Sequence, residues 1–228
     1  MANQLSRLEK AVQFVEDFGV GPALTMRIKD LEAVSSGLTP RQIERLLEQE
    51  RVGAELIAAA RTIKGVAGQV NVIMHAAGIL ASLPYILDRG EIVESLSLGA
   101  GNTGRDHDLV TDRRIAEFKF IDWRPARNTM RQNVLFADVF SVASARTHKR
   151  RIVYVLGTEQ PLKFLRGSRA ISSVLSRTSK VRVAFDKLHG TDSFATVRDY
   201  WATVCDSVEI LDLCDLVPQC FGTPVSGA

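Results

Sequence analysis

Glu117-Phe118-Lys119 is the only Asp/Glu-x-Lys triplet in the chain. On an extended strand, alternation points Glu117 and Lys119 to one face and Ala116, Phe118 and Phe120 to the other. The apolar face is expected to be buried, leaving the charged pair to project together. Just upstream, 107–112 and 114–123 read as two strands joined by a tight turn at Asp112-Arg113. A turn centred there sets Val110 against Ile115 and Asp108 against Glu117. Directly opposed side chains have Cβ atoms about 4.5–5.5 Å apart, and like charges so placed are destabilising. A divalent cation between the two carboxylates would remove that penalty. Oxygen ligands without cysteine or clustered histidine suit Mg²⁺ or Mn²⁺ rather than zinc. Lys119 beside such a cation could orient or deprotonate a water and stabilise a pentavalent phosphate. Taken alone, a Glu-x-Lys pair is a surface salt bridge; its spacing from Asp108 is what gives it chemical content.

A second motif competes with this one. Gly99-Ala-Gly-Asn-Thr-Gly104 satisfies G-x-G-x-x-G after a plausible strand. A dinucleotide site needs its third glycine to open a helix whose N-terminus holds the pyrophosphate. The residues that follow, 105–112, alternate like a strand, and Asp106 and Asp108 would bring negative charge to that phosphate. The run is therefore expected to be a loop between two strands.

The elements that must position Asp108, Glu117 and Lys119 can be read on either side of them. Leu5, Leu8, Val12 and Val15 recur at helical spacing until 18–22 break the helix. A second helix is expected over 23–34. Thr39-Pro40-Arg41-Gln42 then offers a capping threonine, proline at the first helical position and a glutamine able to close a capping box. The helix so started is expected to run to about Ile63, and a fourth, around 66–82, is apolar on most sides and so expected to be buried and central. A helix-turn-helix reading of this region conflicts with its net acidity. From Gly90 the period changes: 92–98 and 151–156 read as strands on either side of the hairpin, with a helix at 128–145. Helices at about 168–175 and 193–205 and a late strand at 207–211 complete an α/β pattern.

Gly104-Arg105-Asp106-His107-Asp108-Leu109-Val110 followed by Ile115-Ala116-Glu117-Phe118-Lys119-Phe120 resembles the PD-(D/E)XK nuclease superfamily. That superfamily shares an αβββαβ core with the aspartate on the second strand and E-x-K on the third, the order found above across roughly residues 66–157. The resemblance implies a restriction-endonuclease-like α/β fold preceded by an N-terminal helical module, with a boundary between residues 65 and 66. It implies Asp108 and Glu117 as metal ligands joined by the Phe118 carbonyl, Lys119 as the catalytic lysine, and Mg²⁺ or Mn²⁺ as cofactor. An upstream glutamate would be Glu94, which lies inside the strand-like run, or Glu91. Gln132 is a loose match to a glutamine on the next helix, followed by Phe136 where a tyrosine is usual. The proline of the motif name is replaced by His107. That histidine alternates away from Asp108 and is expected to be buried or hydrogen-bonded, not a general base.

Charge supports a polyanionic partner. Residues 1–100 carry 10 Lys+Arg against 12 Asp+Glu, 101–190 carry 18 against 8, and 191–228 carry 1 against 6. Cations in the middle block could gain affinity by releasing phosphate counterions, and Arg105, Arg124, Arg127 and Arg131 are the expected phosphate contacts. His148–Arg151 lie beyond the helix. Trp123 and Trp201 read as core residues, not base-stacking platforms. Cys205, Cys214 and Cys220 form no Cys-x-x-Cys pair and read as reduced thiols in a cytoplasmic protein. No signal-peptide pattern opens the chain, and the uninterrupted apolar run 76–87 is short for a membrane span. The sequence thus leads to the expectation of a Mg²⁺-dependent nuclease, with DNA the favoured partner. Its competitor is an inactive nuclease-fold module that binds nucleic acid or protein. The N-terminal helices are left for a second subunit, a protein partner or the nucleic acid.

Overall fold

The computed structural model describes residues 2–99, 106–121, 123, 129–176 and 178–222, with side chains from Ser6 onward. The chain forms two compact units that divide between Asn71 and Val72, six residues beyond the boundary read from the sequence. Among the described residues there are eleven helices and a five-stranded sheet.

The first unit holds α1 (Ala2–Phe18), α2 (Gly21–Ser35), α3 (Pro40–Gln49) and the beginning of α4 (Ala54–Ile86). Gln42 Oε1 accepts from the Thr39 N–H at 2.9 Å, the capping interaction expected at the start of α3. The expected continuation of that helix to Ile63 is not found. Arg51 takes a left-handed φ of 53°, and the Val52 N–H returns to the Leu47 carbonyl at 2.9 Å while that of Arg51 reaches Glu48 at 3.3 Å. This is a Schellman closure with arginine where glycine is usual, so the stop signal was hidden. Arg27 holds the unit together. Its guanidinium lies 4.6 Å over the Phe18 ring and donates to the Phe18 carbonyl and Glu50 Oε2, both at 3.0 Å.

In the second unit the sheet runs β1 (Val93–Leu96), β2 (Leu109–Thr111), β3 (Arg114–Lys119), β4 (Arg150–Val155), β5 (Val208–Asp212) in spatial order. The first three strands form an antiparallel meander, and β3, β4 and β5 are mutually parallel. The hairpin register is the expected one, with Val110 opposite Ile115. Thr111 Oγ1 accepts from the Arg114 N–H at 2.8 Å and shapes the turn. The return from β3 to β4 is α5 (Thr129–Ser144), as a parallel crossover requires.

Both faces of the sheet are covered, which is why β4 reads as a continuous apolar run. On one face Ile115, Val153 and Val155 pack on Leu135, Phe136 and Val139 of α5. The same core takes residues of α6 (Glu159–Leu165), α7 (Ile171–Leu175), α8 (Ser179–His189) and α9 (Val197–Val204). Of these, α6 and α8 were not foreseen. On the other face Ala116, Phe118, Ile152 and Tyr154 pack on Ile79 and Ile86 of α4 and on Leu213 of α10 (Leu213–Leu216). A short α11 (Pro218–Phe221) follows. Gly78 lets α4 approach, since a Cβ there would lie 2.6 Å from the Phe120 ring. Trp123 and Trp201 pack against the first core.

The expectation of a buried, central fourth helix is corrected. α4 is 33 residues long, and every residue from Lys64 to Met74 is exposed. Its buried residues are Ala59 near its start and one stripe of its C-terminal part, Gly78, Ile79, Ser82 and Ile86. By length and composition α4 could cross a membrane.

Candidate functional site

β2 ends its pairing with β3 at Leu109 opposite Ala116, so the edge of β3 beyond Ala116 lacks a strand partner on that side. Asp108, at the entry to β2, fills the gap with its side chain: Oδ2 accepts from the Phe118 N–H at 2.9 Å. Its backbone carbonyl meanwhile accepts from Ser97 N–H at 2.8 Å. The other carboxylate oxygen lies 3.3 Å from Nε2 of His75 on α4. Asp108 is thereby fixed from three sides at the C-terminal edge of the parallel strands, where open α/β sheets place their ligands.

Glu117 and Lys119 share a face, as alternation requires. That face is not open: α5 covers it, leaving the two side chains 10% and 16% exposed. Lys119 Nζ lies 2.9 Å from Oδ2 of Asp138 on α5. Glu117 Oε1 lies 3.2 Å from Nδ1 of His107, and Ser141 Oγ of α5 is 3.5 Å from the same nitrogen. His107 is hydrogen-bonded, as expected, and its partner Glu117 is a member of the cluster. Residues 106–108 form a bend ahead of β2.

The electrostatics are uneven. Burial opposes the Asp108 charge, yet the His75 and Phe118 N–H contacts hold its carboxyl below the usual range. Burial pushes Glu117 up; the His107 contact works against this and the Asp108 charge adds to it. Lys119 is raised, because the attraction of Asp138, Asp108 and Glu117 overcomes its burial. Asp138 is pushed up to about 7 by burial, only partly offset by Lys119. Three carboxylates thus share one ammonium, and two of them resist ionising. Such displacement at a sheet edge is typical of sites that do chemistry.

Other expected members lie apart. Glu94 sits at a bulge of β1 and pairs with Lys149 Nζ at 2.6 Å, its side chain 48% exposed. Glu91 is committed to Arg114 and Thr111. Gln132 accepts from Arg169 Nη1 at 2.8 Å, and Phe136 is core. Arg131 lies on α5, whereas Arg105, Arg124, Arg127 and residues 100–104 of the glycine run lie outside the described residues. Several cations of the basic block serve the fold. Arg150 bonds both oxygens of Glu209, and Arg151 donates to the carbonyls of Ala145 and Thr147. Asp138 and His75 were missed as site residues. Each is a lone titratable group in an apolar helical stretch, which was the available signal.

The donor chemistry can be tested against a divalent cation. Among the described residues no three His, Cys, Asp or Glu side chains converge as a complete protein cage. Two neighbouring carboxylates with surplus negative charge are nevertheless the set that a magnesium ion retaining several waters requires. The residues therefore fit such an ion and not a four-ligand zinc site. Fold and site together define a mixed α/β protein with a buried acid–lysine cluster at one sheet edge. Comparison with protein-family models, with curated proteins and with solved structures gives no match.

Proposed function

We propose that the chain is a divalent-metal-dependent nuclease of the PD-(D/E)XK type, hydrolysing phosphodiester bonds in nucleic acid, with DNA the expected substrate. The observation that carries this reading is the Asp108 carboxylate bonded to the backbone inside Glu117-Phe118-Lys119. An acid from the bend before β2 is thereby drawn to the acid and lysine of β3, on an element order α4-β1-β2-β3-α5-β4. In this reading Asp108 and Glu117 hold Mg²⁺ or Mn²⁺, with the Phe118 carbonyl as a further oxygen. When bound, the ion supplies polarisation of the phosphoryl oxygen. Lys119 orients the attacking water and balances charge developing on the phosphate. Asp138 holds the ammonium, and His75 and His107 hold the two acids in place. Arg131 and the arginines around it contact phosphates.

A second reading is a nuclease-fold module that binds without cutting. It draws on Lys119 being tied to Asp138, and on Glu94 and Gln132 being engaged elsewhere. One experiment separates the two: single-turnover cleavage of plasmid and of single-stranded substrates with Mg²⁺ or Mn²⁺, with and without chelator. The nuclease reading expects metal-dependent cutting that falls by about 10²–10³-fold in Lys119→Met, with nucleic-acid affinity retained. Binding without cleavage under either metal would establish the module instead.

A further inference from the structure

We infer that Arg166, Arg169 and Arg198 form a second phosphate-contacting surface, which grips the nucleic-acid backbone a few nucleotides away from the bond to be cut. The inference rests on the nuclease reading for the identity of its partner. Around β4 the cations of the basic block are engaged within the fold: Lys149 is paired with Glu94 and Arg150 with Glu209. The uncompensated charge lies further on. Residues 163–187 carry seven Lys+Arg against a single acid, Asp186. Among the described residues of that run only Arg182 is paired, with Asp186 at 3.6 Å.

The backbone gathers the three arginines. The segment between α6 and α7 meets the segment entering α9 through an antiparallel bridge between Ala170 and Thr196. Val197 N–H donates to the Arg169 carbonyl at 2.9 Å, and Arg198 N–H to the Gly167 carbonyl at 3.1 Å. Arg198, the only Lys or Arg in residues 191–228, is thereby set beside the 166–169 segment. Arg166 and Arg198 are exposed and Arg169 is half-buried. None of the three is among the arginines held in ion pairs with described residues. The acid adjacent to Arg198, Asp199, caps α9 by accepting from the Thr196 N–H at 2.9 Å.

Arg169 is the least ordinary of the three. Its Nη1 donates to Gln132 Oε1 at 2.8 Å and approaches the Thr129 carbonyl at 3.5 Å, both uncharged acceptors. Burial disfavours its charge and no acid offsets this. Thr129 opens α5, whose positive dipole end repels a guanidinium and attracts an anion. An arginine so oriented keeps its charge for a group from outside, and its planar fork matches a phosphate. The path from the acid–lysine cluster is short. Gln132 stands six residues before Asp138 on α5, ~9 Å of rise, and Asp138 holds Lys119. One strand of a duplex carries a charge every ~3.4 Å of its axis, so a backbone crossing Lys119 reaches Arg169 after ~3 nucleotides. A nucleic acid offers the same charged group at every step of that path, which an acidic protein surface does not.

The test is a fluorescence-anisotropy titration of a labelled duplex of ~20 base pairs between ~50 and ~200 mM NaCl, with chelator present so that nothing is cut. Each lost phosphate contact lowers the slope of log affinity against log salt by ~0.9. The triple variant Arg166→Gln, Arg169→Gln, Arg198→Gln should therefore be shallower than the parent by ~2.7, and bind at least ~10-fold more weakly at the lower salt. Arg166→Gln with Arg198→Gln alone changes two exposed side chains and should lose ~1.8, which keeps the test intact if loss of the Gln132 contact perturbs the fold. Arg182→Gln removes the same charge from a paired site and should keep the parent's slope. The inference is overturned if the double and triple variants keep that slope, or if Arg182→Gln lowers it as much per arginine, which would mark net charge alone. It is overturned too if the parent binds no duplex, or binds poly-glutamate as tightly as a duplex of equal charge, which would put an acidic protein in its place. The nuclease reading fails separately. A parent that leaves plasmid uncut under Mg²⁺ and Mn²⁺, with slopes shifted as expected, would keep this surface on a module that binds without cutting.

Discussion

The two ends of β3 each carry a buried ionic cluster, on opposite faces of the sheet, and they are built on opposite principles. At the start, Arg114 is 2% exposed. It donates to the Ile86 carbonyl at 2.6 Å, to Tyr154 Oη at 3.1 Å, to Glu91 Oε1 at 2.6 Å and to Asp88 Oδ2 at 2.9 Å. Thr111 adds a hydroxyl to Glu91. Both partners are driven towards their charged forms: burial opposes each, but their mutual bonds lower Glu91 and raise Arg114. At the other end, Lys119 faces Asp138, Glu117 and Asp108, and two of those acids are driven towards neutrality. A cluster whose hydrogen bonds are filled by its own fold has no use for a ligand. A cluster with surplus negative charge, held rigidly, is a place where a cation lowers the energy.

The largest effect expected from this contrast is on folding. Arg114→Met removes the guanidinium bonded to Glu91, whose side chain is fully buried, and should destabilise the protein by about 3–5 kcal/mol. Lys119→Met should cost distinctly less, about 1–2 kcal/mol, because Asp138 and Glu117 can take up protons instead of standing as naked charges. Urea unfolding at pH 7 measures both. Equal losses would erase the distinction between a structural and a functional cluster.

A smaller effect lies in the pH dependence of stability. Folded Asp138 keeps its proton up to about 7, whereas an unfolded aspartate releases it near 3.9. Between those values the folded state binds more protons, so this group's contribution falls as pH rises through that window. Glu117, also raised, acts in the same sense at the lower end. Asp108, lowered, acts oppositely at still lower pH. Asp138→Asn should therefore flatten the decline of stability between about pH 4 and 7, by on the order of a few kcal/mol across the window. Thermal melts of parent and variant at matched pH report this. A parent curve that rises through the window, with the variant parallel to it, would show that Lys119 keeps Asp138 ionised.

How far these clusters were legible follows from how local their causes are. The E-x-K pair, the hairpin register and the order of elements from β1 to β4 follow from alternation and one turn, and they were readable. The burial of Glu117 and Lys119 was not. A charged pair on a strand reads as solvent-facing until it is known that α5 lies over it and supplies Asp138 from nineteen residues further on. α4 was read as central because an apolar helix is ordinarily buried, and the exposure of residues 64–74 has no local signature.

The smallest effect expected is also the one that bears most directly on the composition of the site. Glu94 was read as the upstream acid of the metal site, yet it stands at a bulge of β1, with its carboxylate on Lys149 and half its side chain in solvent. Exposed pairs of this kind contribute about 0–1 kcal/mol, because water already solvates both charges and ordering two long side chains costs entropy. Glu94→Gln should thus change stability by less than about 1 kcal/mol. It should leave both metal affinity, measured by calorimetry with Mn²⁺, and cleavage rate within about twofold of the parent, less than the tenfold that corresponds to 1.4 kcal/mol. Asp108→Asn, run alongside, should abolish both. If instead Glu94→Gln reduces metal affinity as Asp108→Asn does, then the bulge must rearrange when the ion binds, turning Glu94 from Lys149 towards the acid pair. The site would then draw its ligands from β1 as well as β2 and β3, and the surplus charge at that end of the sheet would be greater than three carboxylates against one lysine.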